Sequence, residues 1–154
     1  METLAGLRLD IDPPELGWAT VRMTAPGVAM EFIASYTPRD SITDLARAAA
    51  GLAAGDPEQI VVWNTEPVEY EFRFETAAGR TRLEIKRFPD YRRQRRHAIG
   101  PAGVVEESSV TIARALWRTL RRLQGIMTAD EFAAAWRHSF PVGTVDRLGE
   151  QLRG

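Results

Sequence analysis

Arg92, Arg93, Arg95 and Arg96 fall within five consecutive residues, followed at once by His97. The guanidinium fork matches the paired oxygens of a phosphate or carboxylate, so the run reads as a basic loop that grips an anionic group. The competing reading is a solvated charge run that pairs with Glu106, Glu107 and the acidic half of the chain. Only Phe88 and Tyr91 lie beside the run, too few for a single-strand stacking platform. Arg114, Arg118, Arg121 and Arg122 form a second basic set, and their spacing puts most of them on one face of a helix. The same face would also be the ordinary wet side of an amphipathic helix.

Other residue types with chemical capacity do not converge. Glu66, Glu69, Glu71 and Glu75 cluster in sequence, but a cross-strand register assigns Glu71 and Glu75 to basic partners and leaves only Glu66 and Glu69. His97 has no neighbouring acid to orient it, and His138 sits where a helix end would place a capping or packing residue. Ser108 and Ser109 lie at a helix cap position, outside any nucleophile-elbow pattern. The glycines around position 100 make no phosphate loop or dinucleotide fingerprint. There is no cysteine, which excludes disulfides, thiolate metal sites and a cysteine nucleophile. With two histidines and no HExxH pair, no zinc site is assembled. No catalytic residue, metal site or cofactor is therefore assigned, and an enzyme is not the expectation.

The charges divide along the chain. Residues 1–85 hold 7 arginines and 14 acids, residues 86–154 hold 13 basic residues and 7 acids, and the total comes to −1. Of the 20 basic residues only Lys86 is a lysine, as a GC-rich bacterial genome would favour. At 154 residues, 44% hydrophobic and 27% charged, the chain fits one soluble domain. No apolar run is long enough to cross a membrane, and no basic-then-apolar leader opens the chain, so the expected location is cytoplasmic with no membrane partner.

The elements that must position these residues follow from periodicity. Leu16–Tyr36 alternates about Pro26-Gly27, and pairing Ala25 with Val28 sets Met23 opposite Met30, Val21 opposite Phe32 and Arg22 opposite Glu31. That register turns Trp18, Thr20 and Ile33 to the other face. Trp18 and Ile33 are accordingly candidate interface residues, for a partner or for a second copy in a homodimer. Asp40 or Ser41 caps a helix carrying Ile42, Leu45, Ala49 and Leu52, which Gly55 ends. Gln59–Thr65 reads as a strand covered on both faces, with a bulge or edge position at Pro67. Val68–Phe88 reads as a hairpin that opposes Glu75 to Arg82, Arg73 to Glu84 and Glu71 to Lys86 around a loop of residues 77–80. Residues 89–107 read as an irregular basic loop. A helix from Ser109 to Gln124 follows, then one capped by Thr128 and Glu131, then a short one from about Thr144.

Strands grouped apart from helices predict a single α+β domain: a mainly antiparallel sheet of five or six strands, with two hairpins flanking one helix and C-terminal helices packed on one face. The layout is similar in outline to some immunity proteins that block bacterial toxins, which implies a binding protein whose charged patches meet a complementary partner. The leading expectation is thus a protein-interaction module of immunity or adaptor type. Binding of nucleic acid or a phosphate ligand through Arg92–Arg96 is the alternative; a small hydrolase or transferase ranks below both.

Overall fold

The structure, a computed structural model, describes residues 6–92 and 101–153. Strands β1 (Arg8–Ile11), β2 (Trp18–Ala25) and β3 (Val28–Ser35) are followed by helix α1 (Ser41–Ala53). Then come β4 (Glu58–Asn64), β5 (Glu69–Ala77), β6 (Arg80–Phe88) and β7 (Pro101–Ser108), and the helices α2 (Ser109–Ile126), α3 (Ala129–Trp136) and α4 (Val142–Arg153). The seven strands lie in sequence order in one antiparallel sheet. The architecture is the α+β class read from the sequence, with one strand more than the upper expectation.

The extra strand is β7, in the stretch expected to be irregular. Pro101 and Gly103 look like breakers, yet both suit their places. Proline is tolerated at the first residue of a strand, where one missing donor costs little. Gly103 faces β3, and a Cβ there would lie 2.9 Å from the Val28 side chain. From Gly103 on, the chain alternates: Val105 is buried against the core while Val104 and Glu106 are exposed.

Both hairpin registers match the sequence reading. Met23 faces Met30 and Arg22 faces Glu31 in the first, and Phe72 faces Ile85 and Arg73 faces Glu84 in the second. The second hairpin closes more tightly than expected, because Ala77 pairs with Arg80 and only Ala78 and Gly79 form the turn. Their φ values of 53° and 77° are the paired positive angles of a turn whose twist matches that of the flanking strands. Pro67 marks neither a bulge nor an edge. It sits in the β4–β5 turn, where both the backbone N–H and the hydroxyl of Thr65 donate to Val68 O at 2.7 Å.

The sheet does not run flat. β3 and β4 pair only through Ser35 and Asn64, and from that corner the strands fold together so that Val28 reaches Gly103 of β7. Between them Phe32 stacks on Tyr70 at 4.3 Å and meets Trp63 and Phe72 at 5.9 and 6.2 Å. α1 packs on β4, α2 on β1, and the two helices on each other, filling one face of the sheet. Ile42, Leu45, Leu52, Leu116, Leu120 and Leu123 supply their apolar stripes.

The helix ends are capped by short polar side chains. Asp40 Oδ1 accepts from Thr43 N and also from Trp136 Nε1 at 2.9 Å, which ties α3 to the start of α1. Ser108 caps α2, and Thr128 with Glu131 forms a complete capping box on α3. On β1, Leu9 O accepts from the Thr119 hydroxyl of α2, so this helix covers the outer edge of the sheet.

Candidate functional site

The face of the sheet away from the helices carries the side chains that the core does not use. In an antiparallel ladder, directly opposed residues share a face. Trp18 opposes Ser35, Ser35 opposes Asn64, Asn64 opposes Glu69 and Glu69 opposes Phe88. One row therefore crosses from β2 to β6 through the only β3–β4 pairing. Ile33 lies beside it, opposite Thr20 and diagonal to Trp18. Trp18 is 37% exposed and Ile33 53%, and Leu16, in the turn leading to Trp18, is 75% exposed. Both candidate interface residues thus occupy one apolar patch on the face the sequence assigned to them.

At the other end of this row the turn after β4 and the segment after β3 enclose a groove of about 350 Å³, lined by Pro38, Asn64, Glu66, Pro67, Glu69 and Tyr91. Asn64 organises it. Its Nδ2 donates to Thr37 O at 2.7 Å, and its Oδ1 accepts from Glu66 N at 3.0 Å, so one side chain binds both loops. Glu66 has φ 51°, a left-handed conformation that costs a non-glycine residue free energy and persists where the surroundings impose it. Glu69 is buried on the floor at 3% exposure, whereas Tyr91 stands 73% exposed at the rim. The Glu66 carboxylate has no ion-pair partner among the described residues. The Thr37-Pro38 and Glu66-Pro67 bonds are both cis.

Several other carboxylates of this face hold basic partners. Arg22 donates to both oxygens of Asp12 at 2.8 Å and to Glu31 at 3.1 Å. Arg73 donates to Glu58 and to Glu71, and Glu84 lies 3.8 Å from both Arg82 and Lys86. The expected cross-strand neighbours are in place, but several ion pairs form along a strand or to β4 instead of straight across. The hydrogen bond from Arg22 holds the Asp12 carboxyl below its ordinary value of 3.8. A depressed folded pKa contributes stability that is complete above the unfolded value and lost as the pH falls below it. Asp12→Asn should accordingly shrink the acid-side loss of stability below that value. Equal slopes for both proteins in denaturant titrations at descending pH would show that the contact is neutralised by solvent.

The candidate arginines do not gather into one described surface. Arg114 donates to Leu152 O of α4 at 3.2 Å. Arg118 lines a shallow hollow beside β1 with Arg8 and Arg122, whose guanidinium donates to Asp10. Arg121 donates to Gln124 at 2.7 Å and borders a different cleft, against α4. The helix arginines therefore diverge to two sides of α2. Arg92 is exposed beyond the groove, its backbone N–H donating to Asp90. Arg93, Arg95, Arg96 and His97 lie outside the described residues. His138 is a packing residue: one ring nitrogen is 2.9 Å from Tyr36 O, and the ring lies against Tyr36 and Trp136.

Sequence reasoning picked Trp18 and Ile33 but not Asn64, Pro38 or Tyr91. The signal for the groove was Glu66 and Glu69 on either side of Pro67, the acids to which the sequence reading assigned no basic cross-strand neighbour. Among the described residues no group of acids and histidines could hold a metal ion, and no helix is long and apolar enough to cross a membrane. No family model, no curated protein and no solved structure matches this chain.

Proposed function

We propose that this protein is a protein-interaction module, and that its docking surface is the helix-free face of the sheet around the Ser35–Asn64 corner. One observation carries the reading: the strand register places the exposed Trp18 in the same row as the preformed groove at Asn64, with the exposed Ile33 beside it, on a face that no described helix covers. A large exposed aromatic next to an exposed aliphatic side chain is the composition of an interface anchor, since such residues carry much of the binding free energy when a partner removes them from water. The open, shallow groove suits a protruding side chain better than it suits a reaction shielded from solvent. An immunity or adaptor role is the form of this activity that the layout suggests.

The test is capture from a lysate of cells that express the protein, with and without nuclease. Tagged wild type is compared with a Trp18→Ala, Ile33→Arg double variant and with an Arg118→Ala, Arg121→Ala double variant. A nuclease-resistant partner should be recovered by wild type and by the arginine variant, and reduced about tenfold or more by the face variant. Equal recovery by the face variant would remove this surface from the function. Nuclease-sensitive material lost on mutating the arginines would establish nucleic-acid binding in its place.

A further inference from the structure

We infer that the partner segment seated on this face is basic: a bulky apolar side chain rests on Trp18 and Ile33, and an arginine or lysine side chain enters the groove between Glu66 and Tyr91. The inference rests on the docking reading above and adds the chemistry of the occupant.

Charge complementarity supplies the first argument. On this face Arg22 is held by Asp12 and Glu31 and Arg73 by Glu58 and Glu71, while Arg82 and Lys86 each lie 3.8 Å from Glu84. Glu66 has no ion-pair partner among the described residues, and it lines the groove from a backbone conformation that Asn64 fixes. An acidic side chain entering this groove would meet the Glu66 carboxylate. A basic one would meet a positioned acceptor.

Groove shape supplies the second. The rings of Pro38 and Pro67 form flat apolar walls, and Tyr91 presents an exposed aromatic ring at the rim. Flat apolar walls suit the methylene stem of a long basic side chain, an aromatic face suits its cationic head, and a carboxylate suits its N–H donors. A neutral apolar side chain would leave the carboxylate unanswered, and an aspartate or glutamate would be repelled by it.

Spacing supplies a third constraint. Adjacent strands lie about 4.8 Å apart, so the row from Trp18 past Asn64 to the groove spans about 10–15 Å. An extended segment covers that in about three or four residues. The apolar anchor and the basic residue should therefore stand about that far apart in the partner's sequence.

The experiment pans a displayed library of random linear peptides on the full chain and measures the enriched peptides in solution. The expected binders pair a bulky apolar residue with an arginine or lysine at that spacing. Replacing the arginine by citrulline, the same shape without the charge, should weaken binding to wild type about tenfold. It should change nothing for a Glu66→Gln, Tyr91→Ala variant, because the group that reads the charge is gone.

Binders that need Trp18 and Ile33 but ignore the citrulline exchange, or that are acidic or uncharged, would overturn the basic occupant and leave the docking face standing. Binders unaffected by Trp18→Ala and Ile33→Arg, or no binders at all, would overturn both readings. A dimer in light scattering that Ile33→Arg dissociates would assign the face to a second copy and overturn the inference as well. Ile33 and Tyr91 are exposed enough for their variants to fold, which an unchanged circular dichroism melt would verify.

Discussion

Phe32→Ala should destabilise the protein by about 3–5 kcal/mol, the usual range for emptying a buried aromatic position, and lower its melting temperature by about 10 °C or more for a chain of this size. Phe32 is 6% exposed, and its ring is the link between β3 and the strands on the other side of the corner. It stacks on Tyr70 with an interplanar angle of 11° and meets Phe72 edge-on. Backbone pairing can supply little of that link, since Ser35 and Asn64 are the one β3–β4 pair. The rings therefore carry a task that a ladder performs elsewhere in the sheet. A control at Ala29, exposed on the other face of the same strand, should change stability little when replaced by serine. Equal, small losses for Phe32→Ala and for the control would mean that the aromatic cluster does not hold the corner. The same variant should weaken partner capture, because Trp18 and Asn64 keep their spacing only while β3 stays against β4.

Gly103→Val should cost about 1–3 kcal/mol by overpacking, and a second substitution should recover much of it. A Cβ at Gly103 would stand 2.9 and 3.0 Å from the two methyls of Val28, closer than carbon atoms approach without displacement. Val28 is itself buried at 7% exposure, with little room to turn away. Either β7 lifts from β3 or the Val28 side chain leaves its rotamer, and both lose packing. Val28→Ala alone removes two methyls and should also destabilise, by about 1 kcal/mol or more. Combined with Gly103→Val it supplies the space that the new side chain needs, so the double variant should be more stable than the sum of the two losses predicts. A double-mutant cycle from urea unfolding reads this coupling directly. Strict additivity would show that β3 and β7 do not touch, and that the sheet is more open than described.

Reading the sequence alone was most successful where the determinants were local. The 23–30 and 72–85 pairings were legible because a slip of one residue would have turned every apolar side chain of a strand outward and set like charges opposite each other. The starts of α1 and α3 were legible because Asp40 and the Thr128–Glu131 pair are the short polar groups that unsatisfied helix N–H donors require. For the same reason Trp18 and Ile33 could be placed on the face away from the core before any helix was positioned. The β7 strand was missed because Pro101 and Gly103 read as breakers by local rule, and the compensation lies elsewhere: Val28, 75 positions earlier in the chain, occupies the space where a Cβ would be.

The candidate site shows the same division. Composition and spacing singled out basic clusters, since sequence records how near charges stand along the chain. Which charges remain uncommitted is a property of packing: α2 sends Arg114 to α4 and Arg122 to Asp10, while Arg22 is held by Asp12 and Glu31. The groove at Asn64 joins residues 38, 64, 66, 67, 69 and 91, which only the β3–β4 corner brings together. By itself the sequence determined the fold class, the registers and the apolar residues left on the outer face, because each follows from contacts between near neighbours or from the period of a strand or helix. Tertiary structure alone decided where those residues meet a carboxylate and an exposed ring, because that depends on a bend in the sheet held by aromatic packing between distant strands, which no local pattern encodes.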